Sequence, residues 1–229
     1  MEVSTGAWGD LLTDAEFAEL AAQGHMVTYP ARTVVIRQGD QSDFVLYLAK
    51  GNMKAVLPSA RAVVEIHRAG DLVGELSSLT ASPRSADVVT MTDVEALLVP
   101  GRVWREFITS NVRAACAHYS RLAERLLKSD NAKGLSLTSS ESRLARAILR
   151  LAASGLGVET DDGLVISGFK QRDLAEIAKV SRESTVAVLG RLRDMGAVST
   201  GRERLTVRNM DVIAQLAERD GTTGRERAG

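Results

Sequence analysis

The sequence predicts an α+β chain: an antiparallel β-roll or sandwich first, then a long helix, then a helical pair closed by a small β-wing. Three observations carry that prediction. Over residues 26–99 apolar side chains alternate with a period of two, in short β-branched runs set apart by turn residues. Ile108, Val112, Ala115, Tyr119, Leu122, Leu126 and Ser129 then fall at alternating steps of four and three, an a/d seam carried over three heptads. Finally, two short helical patterns flank a tight turn around Lys179, and a charged hairpin follows them.

Bulk properties set the class. A chain of 229 residues can form one large or two small domains with cores of their own. Apolar residues make up 45% and charged residues 25%, the balance of an ordinary soluble protein rather than a disordered or membrane one. No run approaches the ~18 apolar residues of a membrane span, and the first residues lack a basic then apolar signal region, so no membrane partner and a cytoplasmic location are expected. Cys116, the single cysteine, can neither close an internal disulfide nor alone hold an iron–sulfur cluster. Net charge is zero, divided as roughly −2 before Thr138 and roughly +2 after it. DNA binding by the rear half must therefore rest on local placement of arginines.

Residues before Leu11 read as a loose leader, with Trp8 folding back onto the domain. Thr13-Asp14-Ala15-Glu16 is a capping box; Phe17, Leu20 and Ala21 follow at helical spacing, and Gly24 stops the helix. Strands are expected over 33–37, 45–49, 52–57, 62–67 and 94–99, with Gly39-Asp40, Gly51-Asn52 and Gly70-Asp71 as turns. Pro100 ends the sheets and a long helix begins near Val103. The seam on that helix suits pairing with a second copy, and equally suits packing on its own domain. Lys133-Gly134 breaks it, and Thr138-Ser139-Ser140-Glu141 caps a helix whose Leu144, Ala147, Ile148 and Leu151 share one face. Residues 152–163 read as loop, 164–167 as a short strand, 210–219 as a last amphipathic helix and 220–229 as a disordered tail.

Gly74-Glu75-Leu76, Pro83-Arg84-Ser85-Ala86 and the spacer between them suit one phosphate and one ribose. Glycine lets backbone approach a ligand closely. A short helix starting at Glu75 offers free N–H groups to an anion. Arg84 supplies a fixed fork of donors and Ser85 a hydroxyl, whereas Glu75 makes sense as an acceptor for a sugar hydroxyl. A surface loop with a solvated Arg and Glu is the plain alternative. The set resembles the phosphate-binding cassette of the cyclic-nucleotide-binding domain, itself a β-roll. That resemblance implies that Glu75 holds the ribose, with Gly74 and Leu76 beside it, and that Arg84 and Ser85 hold the cyclic phosphate. It also implies a dimer interface on the long helix, whose last turns face the base: Arg125, Ser129 and, from the other subunit, Asp130. The family more often has threonine at Ser129 and a hydroxyl or amide at Asp130, which leaves the choice of base open.

The run Lys170-Gln171-Arg172-Asp173-Leu174-Ala175 to Leu192 reads as helix, tight turn, helix, with Leu174, Ile177 and Ala178 facing Val188, Leu189 and Leu192. Ser181 caps the second helix, placing Arg182 and Glu183 in its first turn, where a guanine and a cytosine amine respectively come within reach. Any small helical pair with a solvated Arg-Glu shares this pattern. Val180-Ser181-Arg182-Glu183-Ser184-Thr185 resembles the recognition region of the catabolite activator/FNR (CRP-FNR) family, whose winged helix-turn-helix assigns Lys170, Gln171, Ser181, Arg182, Glu183, Ala187 and, in the wing, Arg202 to DNA. The family often has arginine at the Ala187 position; alanine suits a thymine methyl, not a guanine. The turn residue Lys179 stands where glycine is common.

The resemblance covers nearly the whole chain after its first ten residues. It implies a β-roll over 11–102, a dimerisation helix over 103–133 and a winged helix-turn-helix over 138–219. The expected function is a homodimeric, cyclic-nucleotide-responsive transcription regulator on a roughly palindromic site, with cyclic AMP the favoured effector and RNA polymerase a further partner. Alternatives are the same fold acting without ligand or with a cyclic dinucleotide, and a regulatory subunit whose rear half docks an enzyme. No catalytic grouping, metal cluster or haem ligand is recognisable, and His67 and His118 read as structural. Arg84→Leu is expected to abolish nucleotide binding with the dimer still folded.

Overall fold

The computed structural model describes residues 10–60, 62–133 and 139–218, with only the backbone of 128–133. The expectations for Trp8, Gly134, Thr138 and the residues after 218 lie outside this range. Two compact units divide the chain, Met1–Pro58 with His67–Ser136, and Ser59–Ile66 with Leu137–Gly229.

The first unit opens with α1 (Asp14–Ala21), capped as expected: Glu16 N donates to the Thr13 hydroxyl, and Thr13 N donates to Glu16 Oε2 at 2.8 Å. Its strands are β1 (His25–Tyr29), β2 (Val34–Ile36), β3 (Phe44–Lys50), β4 (Met53–Leu57), β6 (Leu72–Val73), β7 (Asp87–Thr90) and β8 (Val94–Pro100), with β5 (Ala62–His67) straddling the division between units. One antiparallel sheet runs β1-β8-β3-β6; in the other, β7 pairs with both β2 and β4. Alternation decides which face each residue takes. Leu46, Leu48, Val94 and Ala96 meet Ile36, Met53 and Val88 between the sheets. Val45, Leu97 and Val99 point the other way, into a core with Leu20, Trp104 and Phe107. The β1-β8-β3-β6 sheet is thus buried on both faces, which is why strands 3 and 8 read as almost unbroken apolar runs. Strands β1, β6 and β7, absent from the sequence reading, are short or carry threonine and histidine. Gly24 lies beyond the helix end, where a Cβ would come within 2.5 Å of Leu98 O, so close approach to β8 is what requires glycine.

The long helix begins differently from expectation. It is two helices, α3 (Gly101–Ser110) and α4 (Val112–Lys133), separated by Asn111 at φ −111° and ψ 95°. Asn111 Oδ1 accepts from Ala114 N, starting α4, while its Nδ2 donates to Glu16 Oε1 at 2.8 Å. Arg113 completes the joint, donating to both Glu16 oxygens and to the carbonyls of Asp10 and Leu11. Ile108 therefore belongs to the domain core rather than to the seam. The seam proper starts at Val112, and Val112, Tyr119 and Leu126 are 76%, 77% and 61% exposed.

The second unit holds α5 (Ser140–Leu151), β9 (Gly157–Thr160), β10 (Gly163–Ser167), α6 (Gln171–Ala178), α7 (Arg182–Asp194), β11 (Val198–Gly201), β12 (Arg204–Val207) and α8 (Met210–Glu218). Ser139, one residue later than expected, caps α5. The stretch read as loop over 152–163 is a wide helical turn at Ala152–Leu156 followed by β9, an edge strand. The sheet order is β11-β12-β10-β9. Leu144, Ile148, Ile166, Leu174, Val188, Leu189 and Ile213 are buried. Ser142 and Arg146 of α5 both donate to Ala217 O, tying down the end of α8.

Candidate ligand site and nucleic-acid interface

Gly74 caps the short helix α2 (Glu75–Thr80) in the left-handed region, φ 84°. A Cβ there would lie 2.5 Å from Arg84 Nη1, so both conformation and contact call for glycine. The contact is a hydrogen bond: Arg84 Nη1 donates to Gly74 O at 2.7 Å, Nη2 to Phe44 O at 2.8 Å and Nε to Ser42 Oγ at 3.0 Å. The guanidinium also lies 4.7 Å from the centroid of the Phe44 ring. Arg84 is only 3% exposed. Its own backbone is stitched to the Gly39-Asp40 turn through Gly39 N to Arg84 O and Arg84 N to Asp40 O. Of the five N–H groups in a guanidinium, three are thus committed to the protein.

Glu75 is 2% exposed, and its Oε1 accepts from Arg125 Nη1 of α4 at 2.9 Å. Burial pushes the Glu75 carboxyl up from its ordinary value, and the Arg125 charge opposes that shift. Arg125 Nη2 lies 3.4 Å from His67 Nδ1. Since guanidinium only donates, Nδ1 accepts and the imidazole proton sits on Nε2. Burial, reinforced by Arg125, lowers the His67 pKa to about 3, so the ring is neutral. Behind α2, Arg105 Nη1 bridges Asp43 Oδ1 at 3.0 Å and Ser78 O at 3.1 Å, bracing the cassette on α3. Ser85 and Leu76 are exposed beside this cluster. The structure therefore brings Gly74, Glu75, Arg84 and Arg125 together, whereas the side chains of Ser129 and Asp130 lie outside the described residues.

In the second unit Lys179 adopts φ 54° at the turn between α6 and α7. Ser181 caps α7, its hydroxyl accepting from Ser184 N at 3.1 Å. Gln171, Arg182, Glu183 and Ala187 are exposed, as are Arg202 and Arg204 of the wing. The Glu183 carboxyl is held below its ordinary value by its own backbone N–H and the Ser181 hydroxyl, so it is an acceptor at neutral pH. Lys170 N donates to Asp173 Oδ2 at 2.7 Å, while its Nζ stands 4.0 Å from Glu203 of the wing. Arg191 and Arg193 are drawn aside, to Glu141 at 2.8 Å and to the Thr200 hydroxyl at 3.0 Å. Among the described residues no group of His, Cys, Asp and Glu could hold a metal ion, and no helix is long and apolar enough to cross a membrane.

Comparison with known families matches residues 26–111 to the cyclic nucleotide-binding domain and residues 142–216 to the Crp-like helix-turn-helix domain. The chain belongs to the CRP-FNR family. That family consists of transcription regulators, not enzymes. The cAMP-activated global transcriptional regulator CRP of Salmonella typhimurium is 24% identical over 85% of this chain and 95% of its own length. The cyclic AMP receptor protein of Thermus thermophilus is 28% identical over 82% of this chain and 86% of its own length. The c-di-GMP responsive regulator CLP of Xanthomonas campestris has the same fold, with a TM-score of 0.72, 22% identity and coverage of 85% of this chain and 99% of that one.

Within this CRP-FNR member, sequence reasoning missed His67, Ser42 and Phe44. His67 ends a β-branched strand, a position that reads as structural, and its partner Arg125 is 58 residues away. Ser42 and Phe44 are reached by Arg84 across 42 and 40 residues, and no local motif announces such contacts.

Proposed function

We propose that the protein is a homodimeric transcription regulator that senses a cyclic nucleotide, cyclic AMP foremost, and binds a roughly palindromic DNA site. The observation that carries this reading is the cassette, in which Glu75 and Arg84 are both buried and Arg84 donates to Gly74 O. Glu75 takes the ribose hydroxyl; Arg84 and Ser85 take the cyclic phosphate; Arg125 with Ser129 and the partner copy's Asp130 position face the base. Residues 11–102 form the sensor, 103–133 the dimerising segment, with its break at Asn111, and 138–219 the DNA-binding domain. The exposed row Val112, Tyr119 and Leu126, spaced seven apart, supports pairing of α4 with a second copy. Lys170, Gln171, Ser181, Arg182, Glu183, Ala187 and Arg202 meet DNA, and the regulator works in the cytoplasm with RNA polymerase. Ligand acts by population shift, favouring the orientation of the DNA-binding domains for which its affinity is higher. A second reading, a cyclic dinucleotide effector, is favoured by the likeness to the c-di-GMP responsive regulator.

The test is DNA affinity by fluorescence anisotropy, on sites selected from a random library, with and without each nucleotide. Cyclic AMP is expected to tighten binding about 5–150-fold. Equal affinity with and without every nucleotide would contradict a nucleotide-responsive regulator.

A further inference from the structure

The outward face of α7 changes character along its length. Arg182 and Glu183 occupy its first turn; one turn later the same face carries Val186, 49% exposed, and Ala187, also exposed. Gly190 comes next and offers no side chain. Thr185, Val188, Leu189 and Leu192 are buried on the opposite face, so rotation of the helix cannot turn Val186 inward. The long side chains that could reach across from the third turn, Arg191 and Arg193, are held by Glu141 and Thr200. The second turn thus presents a bare apolar pair. The unit that carries it, matched over residues 142–216 to the Crp-like helix-turn-helix domain, also exposes Gln171 at the start of α6 and Arg202 and Arg204 in the β11–β12 hairpin, which suits a polyanion.

Resting on the reading of α7 as the recognition helix, we infer that Val186, with Ala187, is a specificity-determining contact to a thymine C5-methyl group. That methyl is the one apolar group on a base edge in the major groove. A helical turn advances about 5.4 Å and a base pair about 3.4 Å, so the thymine lies about one to two base pairs from the G·C pair met by Arg182 and Glu183.

Sites are selected from random duplexes with the full-length protein and cyclic AMP, and the selected thymine is then replaced by deoxyuridine, which deletes only the methyl. The inference expects thymine enriched at that step and binding weakened about four-fold by deoxyuridine, the worth of one buried methyl group. Val186→Ser should erase the difference between the two bases, and Ala187→Arg should move the preference to guanine. Specific binding with no thymine enriched there, or equal affinity for thymine and deoxyuridine, overturns the inference and leaves the regulator standing. Failure to bind any DNA overturns both.

Discussion

The cassette and the recognition helix use the same two residue types in opposite ways. Glu75 and Arg84 are buried and already satisfied: Arg84 by two carbonyls and a hydroxyl, Glu75 by Arg125. Arg182 and Glu183 stand in solvent at the head of α7, the Glu183 carboxyl held below its ordinary value by its own backbone N–H and the Ser181 hydroxyl. A site for one small anion must be dry and rigid, so its buried charges need partners within the protein: carbonyls and a hydroxyl hold Arg84, and the Arg125 guanidinium pairs with Glu75. A surface that meets a long polyanion can leave its donors in water until the partner strips them. Substitutions should accordingly couple binding to folding in the first region and separate them in the second.

The largest effect is therefore expected at Arg84. Arg84→Leu removes three hydrogen bonds and leaves two half-buried carbonyls without that donor, so it should abolish nucleotide binding and also cost the first unit about 3 kcal/mol in a denaturant melt. Arg84→Lys keeps charge without the fork and should lose at least about 100-fold in nucleotide affinity with a smaller loss of stability. At the exposed seam, Tyr119→Asp should weaken the dimer by about 2 kcal/mol or more, read by sedimentation equilibrium, with the protomer still folded. Arg182→Ala should cost about 1–3 kcal/mol of specific DNA binding and leave the melting curve within about 0.5 kcal/mol of the parent. Equal weakening on all DNA sequences would make Arg182 a phosphate contact instead.

The smallest effect separates the units by acid. All three histidines lie before Thr138. His67 and His118 are buried with pKa values lowered to about 3 and about 4 by desolvation first and by Arg125 second. Below pH ~6.5 the unfolded chain takes protons that the folded rings refuse, so stability is present above that pH and falls as pH drops toward the folded values. Each histidine should contribute a loss of about 0.7 kcal/mol between pH 7 and pH 6. Glu16, held at about 2 chiefly by Arg113, extends the acid loss from the ordinary carboxylate range down to that value. Melts monitored separately for the two units should show the histidine loss between pH 7 and pH 6 in the first alone.

Local signals explain what was legible. The capping box at Thr13, the cassette around Gly74 and the helical pair around Lys179 are each set by residues within a few positions of one another, and each appears where the sequence put it. The break at Asn111 was hidden because apolar spacing runs through it, and the Glu16 carboxylate that holds Asn111 is 95 residues upstream. Partners of Arg84 and Arg125 were hidden for the same reason. Strand β9 was hidden among the glycines and acids of residues 152–163; its own Gly157 and Glu159 are tolerated because an edge strand has one side facing solvent.

The most direct test of the account is calorimetric titration of the intact protein with cyclic AMP, then cyclic GMP and a cyclic dinucleotide, beside Arg84→Lys under the same conditions. The account predicts saturable micromolar binding, one site per subunit, for a cyclic nucleotide, lost in Arg84→Lys while its melting curve still shows a folded protein. No heat with any of the three, or heat unchanged in Arg84→Lys, would contradict it.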